Sequence, residues 1–585
     1  MFTQNVVKGF TVKAYQGDAK TLLAFNLSKA LAKNLAGFTI AVKPGTEASY
    51  YLLNALHFAD PTGQVQDKTE PAESTLNAPI QKFRWLHVPG NYHQKEGVFY
   101  GKYTYTVTPR YFDKDDHLLA IDLTLSVSVQ IEVIPFVKGS LSLGFTRGFV
   151  QSQAFSHHFG PKAPFKPAKY DLTFDTGTTA GTGSDGISYT YKDEYVWSGF
   201  TAREQIFGIL TELQQDKTLS VDVFAYDFNE PDIINAFLQL GKEKRIRILL
   251  DNASLHHNAK KPKPEDNFET AFAAAAHSTA YLKRGHFTRF QHNKVFILKK
   301  GGNAIKVLTG STNFSITGIY VNSNHVAIFN DVTVAKAYAD VFDEAWNDDM
   351  NEKAFLKSPI SAKTYTFTGK GLPQMNITFS PHADAFSKTR LQSIADRVAK
   401  EKSSVLFAVM DTDDTVKGPI SGALKKLHDR LDIFSAGITD SKTDIYLYKP
   451  NTPGGIKVTG LPGQTLLPPP FDAEKSITVG HQIHHKFIIC GFNTPSAVLW
   501  FGSSNLAQGG EDENGDNLIE LHDQDIATAF AIEAFGMIDH FMFRDKFSAK
   551  TKNAKPKPLV LTQDDSWTDK YFDKNDLYYM DRQLF

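Results

Sequence analysis

Two stretches far apart in the chain carry the same polar residues at the same spacing. In each, a histidine is followed by a lysine after two residues, by a serine after nineteen and by an asparagine after twenty-one. The two sets are His292, Lys294, Ser311 and Asn313, and His484, Lys486, Ser503 and Asn505. Because histidine is a general acid–base and lysine a cation, the paired sets are candidates for acid–base chemistry on an anion.

Each set encloses the pattern of a β-hairpin. The apolar runs VFIL and KVLTG flank the turn KKGGN, and the runs FIIC and VLWFG flank the turn GFNTPS. Alternate residues of a strand share a face, so His292 and Lys294 point the same way, whereas His485 faces away from His484. One copy alone could be a chance feature of a strand. Two copies in one register predict an internal repeat.

Composition narrows the class of protein. A chain of 585 residues exceeds one ordinary domain, and 42% hydrophobic with 22% charged residues is typical of a globular protein. The net charge of −1 argues against binding nucleic acid through overall positive charge. A single cysteine, Cys490, fits a reducing compartment and an inert core position. Neither a signal peptide nor an apolar membrane span is visible, so we expect a cytoplasmic protein, with export by another route left open.

The first 150 residues predict an N-terminal antiparallel β-sandwich-like domain, of roughly Ig-like or C2-like type. Apolar and polar residues alternate from Ile121 to Val133, the pattern of a strand with one buried face. Residues 151–200 are rich in Pro, Gly, Ser and Thr and predict a connecting region. The adjacent His157 and His158 in this region lack spaced partners, which favours a surface loop over a metal site.

From about residue 200 the pattern becomes alternating α and β, and its order repeats. This predicts a duplicated α/β core with lobes at residues 201–375 and 376–585, the second with a basic C-terminal extension. An irregular loop at residues 449–471 precedes the second motif, and loops of this length commonly border a site.

With these residues in view, the sequence resembles the phospholipase D superfamily. The family signature is His-x-Lys followed by Gly-Ser-x-Asn, and both elements occur twice here, across roughly residues 200–545. The acidic residue usual five positions after each lysine is replaced by Lys299 and Gly491. A second family position, eleven residues after each asparagine, holds Asp516 in one copy and Asn324 in the other.

The resemblance implies a two-lobe core with a pseudo-twofold active site and phosphodiester cleavage through a phosphohistidine. One imidazole attacks phosphorus, and the other protonates the leaving oxygen and later activates water or an alcohol. The lysines and asparagines fit around the phosphate oxygens, while Ser311 and Ser503 either donate hydrogen bonds to the same oxygens or hold the histidines. The resemblance implies neither a metal nor another cofactor.

The resemblance also implies that the residue after one motif holds the histidine of the other. Asp516 would then orient His292, and Asn324 would face His484. Because a carboxylate stabilises positive charge on an imidazole and an amide does not, this asymmetry favours His292 as the nucleophile and His484 as the general acid.

The substrate stays open between classes. A β domain preceding a duplicated core favours a phospholipid and peripheral membrane contact. Basic runs, including residues 544–557, favour a nuclease acting on DNA or RNA, although each is also typical of a solvated tail. A non-catalytic phosphate-binding scaffold is a further alternative. Hydrolysis or transfer, and the oligomeric state, are not fixed by the sequence.

Overall fold

The computed structural model describes residues 1–61, 63–90, 92–94, 97–148, 153–160, 162–369, 371–410, 418–430, 432–440, 446–447, 456–457, 483–547 and 557–585. Most of the loop predicted at residues 449–471 and of the basic run at residues 544–557 lies outside these residues. Within the described ranges, no helix combines the length and the apolar character that crossing a membrane requires.

The N-terminal part of the chain forms two antiparallel sheets of four strands each. Its strands are β1 (Phe2–Val7), β2 (Phe10–Gln16), β3 (Thr21–Asn26), β4 (Leu35–Pro44), β5 (Tyr50–Tyr51), β6 (Arg84–His87), β7 (Gly101–Tyr111) and β8 (Val127–Val133). The strand orders are β1-β2-β3-β6 and β5-β4-β7-β8. Val12 and Phe25 from the first sheet share a core with Ile40 and Val107 from the second. The predicted N-terminal antiparallel sheets are confirmed.

The strand predicted from Ile121 to Val133 begins only at Val127. The residues Leu123–Leu125 form a short 3-10 helix, and the side chain of Asp122 accepts a hydrogen bond from the backbone N–H of Thr124. This local bond takes a backbone donor that a strand would have used in its ladder. Burial alternates along β8 as predicted, so the prediction is right for β8 and wrong for the residues before it.

An eight-stranded sheet forms the first α/β lobe, with the order β15-β14-β13-β17-β18-β19-β10-β9. The elements of this region are β9 (Val137–Lys138), β10 (Leu141–Phe145), α1 (Gln153–Phe159), β11 (Thr179–Thr182), β12 (Ser188–Thr190), α2 (Tyr191–Gln215), β13 (Leu219–Ala225), α3 (Pro231–Lys242), β14 (Ile246–Asp251), α4 (Pro264–Ala276), β15 (Leu282–Gly285), β16 (Phe290–Gln291), β17 (Val295–Lys300), β18 (Asn303–Gly310), α5 (Ile316–Tyr320), β19 (His325–Phe329), α6 (Val332–Asn347) and α7 (Glu352–Phe355). Alternate residues of β17 pack into two different hydrophobic cores. Val295 and Ile297 pack in a core with residues of α6. Phe296 and Leu298 pack in a core with residues of α2, α3 and α4. Helices therefore cover both faces of this sheet.

The second lobe contains a seven-stranded sheet with the order β20-β21-β29-β27-β26-β22-β23. The elements of the remaining chain are β20 (Tyr365–Gly369), β21 (Leu372–Phe379), α8 (Asp384–Lys400), β22 (Ser404–Val409), α9 (Pro419–Lys426), β23 (Phe434–Thr439), β24 (Tyr446–Leu447), β25 (Ile456–Lys457), β26 (Phe487–Cys490), β27 (Val498–Gly502), α10 (Gln508–Glu513), β28 (Asn514–Gly515), β29 (Asn517–His522), α11 (Gln524–Phe547), α12 (Asp569–Phe572) and α13 (Leu577–Leu584), with 3-10 helices at Pro359–Ala362, Leu427–Asp429 and Asp565–Thr568.

The two sheets repeat one topology. In each, a parallel strand pair (β14 with β13, β23 with β22) is followed by antiparallel partners in the same sequence: β17, β18, β19 and β10 in the first lobe, and β26, β27, β29 and β21 in the second. The predicted duplicated α/β core is confirmed. The hairpin of β9 and β10 corresponds to that of β20 and β21, so residues before position 150 belong to the first sheet. The predicted domain limits themselves stay a prediction.

The C-terminal end of the chain returns to the N-terminal sandwich. Trp567 and Tyr571 belong to the core of that sandwich. The guanidinium of Arg84 in β6 bonds to the carboxylates of Asp539 in α11 and Asp581 in α13. These contacts fasten the sandwich to the second lobe.

Candidate active site

Both predicted hairpins are present, and their polar residues lie at one end. β17 pairs with β18 and β26 with β27, each antiparallel. His292 and Lys294 lie immediately before β17, and His484 and Lys486 immediately before β26. The glycine of each Gly-Ser-x-Asn run is the last residue of β18 or β27. All the predicted histidines, lysines, serines and asparagines are buried except Asn505, which is half-buried.

Each motif is completed by backbone from the opposite lobe. β16, just before His292, forms a short parallel ladder with β28, and the His292 N–H donates to the carbonyl of Gly515 over 2.9 Å. In the other half, Ile483 bridges Ser323 in parallel, and the His484 N–H donates to the Ser323 carbonyl over 3.1 Å. The two histidines therefore occupy equivalent places about a pseudo-twofold axis.

The motif glycines permit a close approach between strands. Gly310 has a φ of +144° and Gly502 a φ of +147°, values that side-chain-bearing residues rarely adopt. A Cβ atom would lie 2.3 Å from the carbonyl oxygen of His325 at the first glycine and 2.4 Å from that of Asn517 at the second. The strands that follow Asn324 and Asp516 can therefore lie directly against the motifs.

His292 is paired with a carboxylate from the second lobe. Its Nδ1 atom lies 2.8 Å from Oδ1 of Asp516, which is fully buried. Burial lowers the pKa of His292 to about 4, although Asp516 opposes the fall. Burial alone would raise the pKa of Asp516, but the charges of His292 and Lys294 outweigh it and hold that pKa below its usual value. The ring is therefore neutral at neutral pH, with Nε2 left for chemistry.

His484 is paired with an amide from the first lobe. Its Nδ1 atom lies 2.8 Å from Oδ1 of Asn324. The Asn324 amide donates from Nδ2 to the Gly318 carbonyl over 2.8 Å, and its Oδ1 accepts a hydrogen bond from Ser311 over 2.8 Å. Because Oδ1 faces the imidazole, His484 must carry a proton on Nδ1. The second histidine therefore has a fixed orientation but no countercharge from Asn324.

The side-chain amines of the two lysines are buried and lie near each other. Lys294 donates to the carbonyl of His292, and Lys486 donates to that of His484 over 2.9 Å. Burial lowers the pKa of Lys294 to about 7, against the opposing charges of Asp516, Asp227 and Asp251. Burial, followed by repulsion from Lys294, lowers the pKa of Lys486 well below its usual value. An anion between the two ammonium groups would relieve both effects.

The serines and asparagines complete the polar lining. Ser503 accepts hydrogen bonds from the backbone N–H of Asn517 over 3.0 Å and from its side-chain amide over 3.2 Å. The Oδ1 atoms of Asn313 and Asn505 are buried and have no hydrogen-bond partner among the described residues. The serines thus hold the strands together, while the two asparagine oxygens are acceptors that no described donor reaches.

His485 faces away from the site, as the alternation predicts. Its Nδ1 atom lies 3.1 Å from Nδ1 of His325, and its ring contacts the apolar rings of Phe145 and Phe487. Burial lowers the pKa of both histidines, that of His325 to about 3 and that of His485 well below its usual value. This pair is a neutral contact between the lobes.

Three site residues escaped the sequence analysis. Asp251 accepts a hydrogen bond from the Gln291 N–H over 2.7 Å, and Asp440 accepts one from the Ile483 N–H over 2.9 Å, so each holds the residue before a histidine. The ring of Tyr226 contacts His292, with 4.7 Å between centroids. The repeated strand order, with an aspartate at the end of equivalent strands, could have indicated the two acids. No pattern indicated Tyr226.

One group of side chains near the site has donor atoms suited to a metal. Atoms of Asp227, His256 and Glu265 all lie within 4.8 Å of one another. The imidazole of His256 already bonds to Asp251 over 2.8 Å, and Glu265 accepts from the Phe228 N–H over 2.9 Å. These bonds satisfy the group internally, so an ion is not needed to explain it.

One part of the chain matches the model of a known protein family. Residues 209–346 match the family model described as the PLD-like domain of cardiolipin synthase. No curated protein matches the chain.

Several solved structures resemble the chain at low identity. Polyphosphate kinase from Porphyromonas gingivalis is 12% identical with a TM-score of 0.38, over 61% of this chain and 52% of that one, so the chain spans about half of the kinase. The phospholipase D family member Nuc from Salmonella typhimurium is 22% identical with a TM-score of 0.20, over 24% and 86%. Phosphatidylserine synthase from Haemophilus influenzae Rd KW20 is 10% identical with a TM-score of 0.37, over 56% and 84%.

The buried lysines generate a prediction about stability. Burying the Lys486 amine costs free energy, whether it stays an unpaired ion or gives up its proton, so Lys486→Met should stabilise the free protein by about 1 kcal/mol or more. Sulfate should raise the thermal midpoint of the wild type but not of Lys486→Met, because the anion binds the folded state. Differential scanning calorimetry measures both. Lys336→Met, at an exposed lysine, is the control and should keep the sulfate effect. A destabilised Lys486→Met that still responds to sulfate would contradict the prediction.

Proposed function

We propose that the chain is a member of the phospholipase D superfamily and a metal-independent phosphodiesterase working through a phosphohistidine. The observation that carries the proposal is the crossed pairing of His292 with Asp516 and of His484 with Asn324 beside two buried lysines. This arrangement supplies two differently supported imidazoles and a place for an anion. Neither lobe supplies it alone.

In the first step, Nε2 of His292 attacks phosphorus while the bond from phosphorus to the leaving oxygen breaks. His484 is protonated on both nitrogens in this step. It gives its Nε2 proton to that oxygen, while its Nδ1–H stays hydrogen-bonded to Asn324. The positive charge that forms on the phosphorylated His292 ring is stabilised by Asp516. The carboxylate is therefore on the side where positive charge must persist.

In the second step, Nε2 of His484 accepts a proton from water or an alcohol as the oxygen attacks phosphorus. The nitrogen–phosphorus bond breaks, and His292 returns to its neutral state. Water gives hydrolysis and an alcohol gives transfer. Lys294, Lys486, Asn313 and Asn505 surround the phosphate oxygens, where negative charge builds up in both steps. The charge of the two lysines replaces the metal that many phosphodiesterases use.

A phospholipid is the substrate that we favour. The description of the matched family model names cardiolipin synthase. The net charge of −1 offers no general attraction for nucleic acid. The loop that begins at Asn252 exposes Leu255 together with Lys260 and Lys261. An exposed leucine beside lysines fits an anionic lipid surface. The loop follows β14, and His256 within it contacts Tyr226 next to His292.

A nuclease is the second candidate, because the same lysines could contact a nucleic-acid backbone. We expect Lys260→Glu/Lys261→Glu to slow cleavage of phospholipid vesicles about thirtyfold or more, since each lysine near an anionic surface contributes about 1 kcal/mol. Cleavage of bis-p-nitrophenyl phosphate should be unchanged. Lys29→Glu/Lys33→Glu, at exposed lysines of the N-terminal domain, is the matched control. Plasmid DNA nicked at low salt, with vesicles untouched, would replace the lipid assignment by the nuclease.

The mechanism predicts activity that survives excess chelator. Alanine at His292, Lys294, His484 or Lys486 should each lower the rate on bis-p-nitrophenyl phosphate about 10²-fold or more. His485→Ala should cost less, because this ring faces His325 rather than the site. Loss of activity on chelation, restored by zinc or magnesium, would overturn the mechanism and direct attention to the group around His256. A folded protein inert towards every diester would favour the phosphate-binding scaffold.

The asymmetric pairing predicts which histidine becomes phosphorylated. We expect a phosphoenzyme trapped by acid-free quenching with a slow substrate to carry phosphate on the peptide containing His292, because Asp516 stabilises that intermediate. Mass spectrometry of the digested protein locates the group. The variant Asp516→Asn should reduce the trapped amount, whereas Asn324→Asp should not. Phosphate found on His484 alone would reverse the assignment.

A further inference from the structure

The two site lysines have different neighbours at equivalent positions of the repeat. Tyr226 directly follows β13, and Met410 directly follows the equivalent strand β22. The Nζ atom of Lys294 lies over the Tyr226 ring, 4.6 Å from its centre. The Nζ atom of Lys486 lies 3.9 Å from the sulfur of Met410. The repeat therefore places an aromatic face under one lysine and a thioether beside the other.

These two neighbours affect an ammonium group differently. The negative face of an aromatic ring attracts a cation, and the attraction grows when water is excluded. A thioether sulfur is only a weak acceptor. Both lysines are buried to 1% exposure, so the difference acts with little screening by water.

The surrounding charges also favour protonation of Lys294 over protonation of Lys486. Lys294 is faced by Asp516, Asp227 and Asp251. Lys486 is faced by Asp516 and Asp440 and is opposed by Lys294. Burial lowers the pKa of Lys294 to about 7 and that of Lys486 well below its usual value, and repulsion from Lys294 adds to the fall only at Lys486.

Tyr226 is fixed in the orientation that presents its face. Its ring meets the ring of His292 edge to face, with centroids 4.7 Å apart and planes at 78°. It meets His256 in the same manner, with centroids 4.3 Å apart and planes at 83°. Since these two contacts hold the ring in place, its face toward Lys294 is preformed. The proposed reaction steps make no use of this tyrosine.

We propose that Tyr226 is a positioning residue that makes Lys294 the more readily protonated of the two lysines in the free site, so that Lys294 meets the phosphate first and Lys486 takes up a proton from solvent as the anion binds. The inference deepens the proposed function and rests on it only in that a phosphate anion occupies the site. It makes anion binding stepwise, with one lysine charged in advance and the other charged by the ligand.

Sulfate binding at two pH values tests this, because sulfate keeps its charge between them. We expect Tyr226→Met, which copies the other half of the repeat, to weaken sulfate binding about tenfold at pH 8, in line with a desolvated cation–π contact. At pH 6, where solvent protons restore the charge of Lys294, the loss should shrink. Tyr226→Phe keeps the aromatic face and should bind sulfate within about threefold of the wild type at both pH values.

Calorimetry in two buffers of different ionisation enthalpy gives a second measurement, the number of protons taken up. The wild type should take up about one proton per sulfate at pH 6, and Tyr226→Met should take up more, since Lys294 must then also be charged by the ligand. Tyr226→Leu serves if Tyr226→Met does not fold.

The outcomes separate clearly. Equal sulfate affinity in the wild type and Tyr226→Met at pH 8 would overturn the inference, as would an equal loss at both pH values. Tyr226→Phe binding as weakly as Tyr226→Met would assign the effect to the hydroxyl and overturn it too. Sulfate binding needs no turnover, so the inference can hold even if the phosphodiesterase proposal fails.

Discussion

The structure depends on one constraint: each motif histidine is held by the lobe that does not contain it. The backbone of His292 bonds to Gly515 and its ring to Asp516, while the backbone of His484 bonds to Ser323 and its ring to Asn324. A shift of one lobe relative to the other would break both sets at once. The large core that includes Val295 from the first sheet and Phe501 from the second prevents such a shift. Packing between the lobes is therefore a requirement of the site as well as of stability.

The sequence predicted much of this arrangement because the constraint requires the same residue spacing in both motifs. The spacing between histidine, lysine, serine and asparagine is set by hairpin length, which is local, and its repetition identified the duplicated core. Gly310 and Gly502 are conspicuous because no other residue tolerates both the positive φ and the approach of the next strand. The two-residue alternation placed His485 away from the site. Local geometry is what a single sequence records best.

What the sequence did not predict depends on contacts between distant segments. Tyr226 lies 66 positions before His292, and nothing in its own segment distinguishes it from a core tyrosine. The strands β9 and β10 lie next to the sandwich in the sequence, yet β10 pairs with β19 of the first lobe. The alternation before Val127 had the correct period, but the side chain of Asp122 satisfied a nearby backbone donor and formed a 3-10 turn instead. In each case the decisive partner lay outside the pattern.

The repeat has diverged at positions that surround the two histidines. The half around His292 has a carboxylate at Asp516 and an aromatic face at Tyr226, whereas the half around His484 has the amide of Asn324 and the thioether of Met410. A similar exchange occurs behind the site, where Asn517 bonds to Asn293 in one half and His325 contacts His485 in the other. Two equivalent histidines could bind a phosphate symmetrically, but attack and protonation require different proton affinities. Because the fold fixes both rings by the same backbone contacts, the side chains behind them are free to differ without moving the rings. Duplication thus supplies the geometry, and substitution at the paired positions supplies the chemical difference.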